Sequence, residues 1–240
     1  RHTDQTVNIY SAFLQNEWKN DRWGILIGGR LDKHNMVDNV IFSPRANLRF
    51  NPTQNINLRL SYSSGFRAPQ AFDEDMHIEN VGGTVAMIER AKDLKEEKSQ
   101  SFSVSADMYH RFGAFQTNLL IEGFYTRLTD VFVLGKPYDR GDGILVKTRS
   151  NGPGAKVMGL TLEGKVAYLS ILQIQAGLTL QRSRYDEPHK WHDDAPAEKK
   201  IFRTPDTYGY FTATCTPIKP LSIALSGTYT GRMLVQRMDI

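Results

Sequence analysis

The chain has 240 residues, of which 40% are hydrophobic and 23% charged, a composition that excludes a disordered protein. Its 30 basic and 26 acidic residues give a formal net charge of +4, but no run of five or six like charges occurs, which argues against a nucleic-acid binder. The single cysteine, Cys215, excludes a disulfide scaffold and a thiolate-rich metal site.

Mean hydropathy does not separate a soluble protein from a membrane β-barrel here. The value is −0.43, and no stretch approaches the roughly 18 to 20 consecutive apolar residues of a membrane-spanning helix. A transmembrane β-barrel also has a polar average, because only every second residue of a strand faces lipid while the others line an aqueous interior. The periodicity of apolar and polar residues along the strands therefore has to distinguish a soluble protein from a membrane β-barrel.

Segments of about ten residues alternate between apolar and polar side chains, the period of a strand with two different faces. In the clearest segment, Leu58 and Leu60 fall on one face, and Asn57 and Arg59 on the other. The pattern predicts an all-β, antiparallel fold of about ten strands. In chain order the predicted strands are 7–18, 22–32, 38–50, 55–64, 98–112, 115–133, 144–169, 171–185, 206–216 and 220–234.

The connections between these strands alternate between short and long. Such asymmetry is typical of an outer-membrane barrel, with tight periplasmic turns at one rim and long extracellular loops at the other. The short connections are rich in Gly, Pro, Asn or Asp. They lie at 19–21, 51–54, 113–114, 169–170 and 217–219, and the longer ones at 33–37, 65–97, 134–143 and 186–205.

Aromatic residues and prolines agree with this layout. Aromatic rings cluster beside the short connections, where a membrane barrel places them at the level of the lipid headgroups. Prolines are expected at turns and loops, so Pro153 is predicted to mark a bulge in the strand 144–169, and Pro44 is an exception. The aromatic residues of this predicted girdle are Trp18, Trp23, Phe50, Phe112, Phe115 and Tyr168.

The run from Leu58 to Pro69, Leu-Arg-Leu-Ser-Tyr-Ser-Ser-Gly-Phe-Arg-Ala-Pro, resembles a signature of TonB-dependent outer-membrane receptors, especially those of Bacteroides-type bacteria. The segment from Phe42 to Arg49 resembles the preceding strand of that family, and Lys95 to Ser99 its re-entry after the loop. Further segments that resemble family strands are Arg149 to Gly152, Gly159 to Glu163, and Gly227 to Gly231.

This resemblance implies a barrel of about 22 strands, plugged by an N-terminal globular domain. Such a receptor imports scarce nutrients with energy delivered by a periplasmic TonB protein, which reaches it through the plug. Residues 1–240 are expected to form a single barrel segment without the plug and the terminal strands. Its partners would then be outer-membrane lipid, the TonB protein, and a small nutrient or metal chelate.

The long loops carry the candidate ligand-binding residues, because binding groups concentrate on loops held by a rigid scaffold. Two histidines at positions i and i+3 beside carboxylates are able to bind a transition metal or a metal chelate. A solvated polar loop explains the same residues, so neither a resident metal nor a cofactor is predicted. The candidates are Arg67, Asp73, Asp75 and His77 in the first loop and His189, Trp191 and His192 in the second.

The second loop is also basic. Its cations would attract anionic siderophores or the phosphates of outer-leaflet lipopolysaccharide, although solubility alone accounts for them equally well. The cations that flank this loop or lie within it are Arg182, Arg184, Lys190, Lys199, Lys200 and Arg203.

The sequence therefore predicts a bacterial outer-membrane receptor for an iron chelate, haem, cobalamin or a similar nutrient. Two alternatives remain open, a passive porin-like barrel and a soluble all-β carbohydrate-binding module. No nucleophile elbow, zinc-binding helix or glycine-rich phosphate loop is recognisable, so an enzyme is not predicted.

Overall fold

The computed structural model describes residues 6–69, 86–141, 145–190 and 196–235. Within these ranges no helix is long and apolar enough to span a membrane. The regular elements are fifteen strands: β1 (Ile9–Lys19), β2 (Trp23–His34), β3 (Ile41–Thr53), β4 (Ile56–Arg67), β5 (Ala86–Arg90), β6 (Glu97–Phe112), β7 (Phe115–Thr129), β8 (Phe132–Leu134), β9 (Tyr138–Asp139), β10 (Leu145–Asn151), β11 (Ala155–Tyr168), β12 (Leu172–His189), β13 (Glu198–Lys200), β14 (Thr207–Ile218) and β15 (Leu221–Thr230).

One large sheet contains most of the chain, in the order β1-β2-β3-β4-β6-β7-β11-β12-β14-β15, with β13 added beside β12. Every neighbouring pair along this path is antiparallel. Each strand therefore returns beside the strand before it, as in an up-and-down barrel. The predicted all-β, antiparallel fold class is confirmed.

The two rims of this sheet differ as the sequence predicted. Two or three residues connect β1 to β2, β3 to β4, β6 to β7, β11 to β12 and β14 to β15. At the turn between β6 and β7, Gly113 has a φ of 58°, a conformation that a glycine adopts without strain. All five tight turns lie at one end of the sheet, here called the tight-turn rim. The longer connections leave from the other end, the long-loop rim.

One face of the sheet is apolar and exposed, and is here called the outward face. Leu60 is 51% exposed, Val104 59% and Leu160 42%, although all three lie in the middle of paired strands. The buried apolar cluster of the described residues is small and lies at the long-loop rim, around Val37 and Ile41. A soluble sandwich would instead bury these leucines under a second layer, so the alternative of a soluble carbohydrate-binding module is wrong.

The aromatic residues of the predicted girdle meet across strands at the tight-turn rim. Trp23 and Phe50 stack with ring centroids 4.3 Å apart. Phe112 stacks on Phe115 at 5.5 Å, and Phe115 contacts Tyr168 at 4.8 Å. Rings that pack side by side along one rim of an apolar band lie where amphipathic side chains meet lipid headgroups.

The opposite face is polar and is hydrogen-bonded across strands; it is here called the lumen face. Tyr210 donates to Glu163 Oε2 at 2.5 Å, and Gln175 Nε2 donates to Glu163 Oε1 at 2.8 Å. The hydroxyls of Thr161 and Thr179 are 3.0 Å apart. Such networks keep polar side chains satisfied on a wall that borders water.

The prediction of one continuous strand over 144–169 is wrong. The segment is interrupted at 152–154, and the two parts, β10 and β11, belong to different sheets. The backbone N–H of Gly152 bonds to Val131 O at 2.7 Å, and a Cβ on Gly152 would lie 2.6 Å from a methyl group of Val133. Only glycine permits this close approach. Pro153 lies in the connection between β10 and β11 and does not mark a bulge within one strand.

Pro44, the exception among the prolines, is placed where a missing N–H costs little. It is paired with Gly29 of β2, whereas the register of β3 with β4 begins one residue later, at Arg45 and Ser63. Position 44 therefore resembles a sheet edge on one side, which is where proline is tolerated in a strand.

A first prediction tests which face of β6 meets lipid and which meets the lumen. In the full-length protein in lipid vesicles, Val104→Arg should destabilise the barrel by roughly 2–4 kcal/mol, because its side chain points into hydrocarbon. The adjacent Ser103→Arg, which points into the lumen, should cost less than about 1 kcal/mol. Denaturant unfolding measures both values. Equal costs for the two variants would contradict this assignment of faces.

A second prediction concerns the ring of Tyr210, which crosses over Gly177. A Cβ on Gly177 would lie 2.5 Å from Cε1 of Tyr210, so Gly177→Val should displace the ring from Glu163 and destabilise the protein by about 1–3 kcal/mol. Gly164→Val is the matched control, because a Cβ there has no atom within 4 Å. Unfolding midpoints that shift equally for both variants would contradict the proposed contact.

Candidate binding site at the long-loop rim

Two long connections join into one folded unit above the main sheet. Strand β5 comes from the connection between β4 and β6, and β8, β9 and β10 come from the connection between β7 and β11. These four strands form a second sheet, here called the loop sheet, in the order β5-β10-β8, with β9 also beside β10. Strand β5 pairs with β10 in parallel, from Ala86 with Leu145 to Arg90 with Arg149. The loops therefore have a fixed backbone geometry at this rim.

The side chain of Asn151 ties the two connections together at the base of the loop sheet. Its Oδ1 accepts the N–H of Lys95 at 2.8 Å, and its Nδ2 donates to Lys95 O at 3.1 Å and to Asp130 O at 2.8 Å. Asp130 has a φ of 55°, which marks the point where the chain leaves β7. One amide group thus satisfies backbone groups of both connections.

Further polar contacts hold β5 to its neighbours. The backbone N–H of Ala91 donates to Arg149 O at 2.8 Å, and Arg140 Nη1 lies 3.2 Å from Glu89 Oε1. The side chain of Arg149 is almost completely buried, at 2% exposure. A buried guanidinium needs hydrogen-bonding or charged partners, so Arg149 is an interior residue of the loop sheet and not a free surface cation.

Arg67, the first predicted ligand-binding residue, ends β4 directly below the loop sheet. It is paired in register with Glu97 of β6, and its guanidinium carbon lies 5.6 Å from the ring centroid of Phe132 in β8. Glu97 Oε2 accepts the N–H of Phe132 at 3.1 Å. The structure therefore places Arg67 at the long-loop rim, with its guanidinium over an aromatic ring.

The other predicted ligand-binding residues are not brought to Arg67 by the described structure. His189 ends β12, where its backbone is paired with that of Glu198. Asp73, Asp75, His77, Trp191 and His192 lie outside the described residues. Their role in binding a ligand stays a prediction.

A groove of about 590 Å³ opens beside the loop sheet at this rim. It lies between the connection from β2 to β3 and the segment that follows β5, so two loops form its walls. Carboxylates and cations both line it, a combination that suits a polar ligand with several hydrogen-bonding groups. Its polar lining residues include Asn35, Asp38, Glu89, Arg90 and Lys92.

A buried carboxylate at the end of β2 was missed by the sequence analysis. Asp32 is fully buried, and it accepts from Ser11 Oγ at 2.5 Å and from Arg30 Nε at 2.7 Å. His34, which is 2% exposed, accepts the N–H of Met36 on Nδ1 at 3.0 Å. The alternation of Arg30, Asp32 and His34 on the polar face was the available signal. These residues hold the end of β2 and the start of its connection to β3 in place.

A second groove, of about 510 Å³, lies on the wall formed by β1 to β4. Arg30 and Arg45 contribute cations to it, and Ser43 and Ser63 contribute hydroxyl groups. Arg30 is also the partner of buried Asp32, so the groove adjoins the fixed end of β2. Cations beside hydroxyls attract carboxylates and other anionic oxygen groups.

Metal coordination by the protein itself has no candidate among the described residues. No group of three or more His, Cys, Asp or Glu side chains lies close enough to hold an ion there. The chemistry that the described rim offers is recognition through charge, hydrogen bonds and one aromatic face.

A third prediction tests the amide of Asn151. Asn151→Ala in the full-length protein removes three hydrogen bonds that join the two connections, so hydrogen exchange in residues 86–95 should accelerate about tenfold or more. Asn57→Ala is the matched control, because Asn57 donates to Asn51 Oδ1 at 2.7 Å near the opposite rim. Unchanged hydrogen exchange in residues 86–95 of the Asn151→Ala variant would show that the hydrogen bonds of Asn151 are not needed to hold the two connections together.

Comparison with known proteins identifies the architecture. The family described as TonB dependent receptor-like, beta-barrel, matches residues 1–233. A search of the curated proteins found no significant match.

Several solved structures have the same fold at low sequence identity. The chain is similar to the siderophore receptor PirA from Pseudomonas aeruginosa, with a TM-score of 0.69 and 16% identity over 93% of this chain and 40% of that one. The FrpB iron transporter from Neisseria meningitidis matches with a TM-score of 0.65 and 16% identity, over 93% of this chain and 33% of that one. The alcaligin outer-membrane receptor FauA from Bordetella pertussis has a TM-score of 0.58 and 15% identity, over 94% of this chain and 38% of that one. The chain thus spans two fifths or less of the length of these proteins.

Proposed function

Because the chain belongs to the TonB-dependent receptor-like β-barrel family, whose members lie in the bacterial outer membrane, we propose that it is the ligand-receiving wall of a nutrient importer. The receptor binds a scarce nutrient at its long-loop rim, which faces the extracellular side. It passes the nutrient through the barrel when a plug domain moves, with energy from a periplasmic TonB protein. The plug, the remaining strands and the contact with TonB are parts of the full-length receptor in this proposal.

The observation that carries the proposal is the fixed loop sheet above a polar wall. A pore that only lets solutes diffuse needs no folded layer at its mouth, whereas a receptor needs side chains held in one geometry. The parallel pairing of β5 with β10 and the three hydrogen bonds of Asn151 provide that rigidity.

An anionic metal chelate is the ligand class that the described residues favour. Arg67 lies at the rim, and Arg30 and Arg45 line the groove below it, so cations are present from the mouth to the wall. The similar solved proteins include a siderophore receptor and an iron transporter. Ferric chelates with carboxylate, hydroxamate or catecholate groups carry the negative charge that such a surface attracts.

The histidines and carboxylates of the two long loops are proposed to complete this site. His77, Asp73 and Asp75 come from the first loop, and His189 and His192 from the second. They would contact the chelate through hydrogen bonds and charge. Trp191 would add an aromatic face, in the way that Phe132 does for Arg67.

A fourth prediction tests this function in cells that produce the full-length receptor. Uptake of radiolabelled ferric hydroxamate, ferric catecholate, haem and cobalamin is measured with and without a functional TonB protein. We expect one ferric chelate to be imported, and only when TonB is present. Import that does not depend on TonB would contradict the proposal and would favour a passive porin.

The same cells test the binding residues. Arg67→Ala, and the double variant His189→Ala with His192→Ala, should each weaken chelate binding about tenfold, on the scale of one lost charge-assisted contact. His110→Ala is the matched control, because His110 lies in β6 beside Phe112 at the opposite rim. Wild-type binding by the double variant would show that the second loop is only solvated.

A further inference from the structure

Strand β5 of the loop sheet is paired on one side. Within the described residues its partner strand is β10, towards which the N–H of Ala91 donates to Arg149 O at 2.8 Å. The backbone groups of successive residues in a strand point to opposite sides. Glu89 therefore bonds towards β10 like Ala91, whereas the N–H and C=O groups of Ile88 and Arg90 point away from β10. This second side is here called the open edge of β5.

The groove of about 590 Å³ at the long-loop rim runs along the open edge. Residues 89–92 line it one after another. Side chains at successive positions of an extended chain point to opposite faces, so a groove that contacts every position lies beside the backbone. Its opposite wall is the connection between β2 and β3, which contributes Asn35, Met36 and Asp38.

An open strand edge presents hydrogen-bonding groups that match those of another extended chain. Such a chain adds to the sheet as a further strand, through bonds between the two backbones. Proline, lysine and bulges are the common devices that prevent this pairing. Strand β5, Ala-Met-Ile-Glu-Arg, contains neither proline nor lysine, and its register with β10 has no shift. The edge is therefore able to receive a strand.

The charges along the groove are of both signs. Asp38 and Glu89 contribute carboxylates, and Arg90 and Lys92 contribute cations. A groove lined by cations alone would select any anion, whatever its scaffold. Mixed charges beside backbone donors and acceptors instead favour a ligand whose scaffold itself carries both N–H and C=O groups. A peptide backbone has this chemistry at every residue.

The groove is close in the chain to Arg67, which is proposed to contact the anionic chelate. Pro69 lines the groove and is two residues from Arg67, at most about 7 Å along the chain. Arg67 itself lies beside the loop sheet, with its guanidinium carbon 5.6 Å from the ring centroid of Phe132. One ligand with an extended scaffold and a charged head therefore reaches both places.

We propose that the ligand is a ferric chelate carried on a linear peptide, and that its peptide backbone adds to the open edge of β5 as a further strand. The inference rests on the proposed function, because it names the chemical class of the chelate bound at that rim. Backbone pairing gives affinity, and the charged side chains of the groove select among scaffolds. The outward-facing residues Ala86, Ile88 and Arg90 match a peptide of about five residues.

The ligand side of the pairing is tested with three synthetic ferric trihydroxamates of equal charge, bound to the full-length receptor. The first carries its hydroxamates on the side chains of a linear pentapeptide. In the second, ester oxygens replace the backbone N–H groups of the same pentapeptide, which removes donors and keeps the shape. The third joins the hydroxamates through a chain without amides. The pentapeptide chelate should bind about tenfold or more tightly than the other two.

The protein side is tested by removing one N–H group from the open edge. Arg90→Pro removes the N–H that points away from β10, at an edge position where proline is tolerated. Arg90→Ala is the matched control, because it removes the same side chain and keeps the N–H. Relative to this control, Arg90→Pro should weaken binding of the pentapeptide chelate about tenfold. The amide-free chelate should bind the two variants alike.

Amide hydrogen exchange reports the pairing independently of affinity. In the unliganded receptor, the N–H groups of Ile88 and Arg90 should exchange at least about tenfold faster than those of Glu89 and Ala91. The pentapeptide chelate should slow the first pair, and the amide-free chelate should leave it unchanged. Retained protection of Ala91 in both Arg90 variants shows that the loop sheet is folded.

Three results would overturn the inference and leave the proposed function in place. They are equal binding of the three chelates, equal binding of the pentapeptide chelate by Arg90→Pro and Arg90→Ala, and protection of the Ile88 and Arg90 amides before any ligand is added. The last result would show that the edge is already paired within the receptor.

Two further results would contradict the proposed function as well. Metal-free pentapeptide that binds as tightly as its ferric form would indicate a receptor for peptides and not for chelates. Failure of all three chelates to bind, together with no TonB-dependent uptake of any ferric chelate, would overturn the proposed function and this inference with it.

Discussion

The structure depends on one constraint: the strands of the main sheet satisfy their backbones by pairing with neighbouring strands, while the two faces of the sheet meet different solvents. The antiparallel register supplies the backbone bonds over most of the sheet. On one side, Val104 and Leu160 stay exposed because hydrocarbon surrounds them. On the other, Glu163 and Tyr210 bond across strands because they border water. In a water-soluble protein the apolar outward face would be exposed to water, which is unfavourable. In a hydrophobic core the polar groups of the lumen face would lose their contact with water, which is also unfavourable.

Most of the main sheet was predictable from the sequence, because the residues that specify each strand and turn lie within that strand or turn. A period of two residues identifies a strand and its faces, and Gly, Pro, Asn and Asp identify its turns. The segment 55–64 is the clearest example, since β4 covers it completely. The aromatic girdle follows from the same periodicity, because Trp23 and Phe50 become neighbours once the register is set.

The loop sheet was not predictable in this way, because its pairing is not local. Strand β5 pairs with β10, which is more than fifty residues away in the chain. No periodicity within either segment indicates that the two strands pair. Asn151 was noticed only as part of a family-like segment, and its role depends on Lys95, 56 residues away. The position of Arg67 at the rim was predictable from the family signature, whereas the contact with Phe132 was not.

The central claim is that alternate residues of one strand meet hydrocarbon and water. Spin labels at each position from 172 to 180, in a Cys215→Ser background of the full-length receptor in lipid vesicles, test it most directly. Labels at even positions should be relaxed mainly by oxygen dissolved in the lipid, and labels at odd positions mainly by a water-soluble nickel chelate, with a period of two residues. Accessibility without that period, or with the two sets exchanged, would contradict the account.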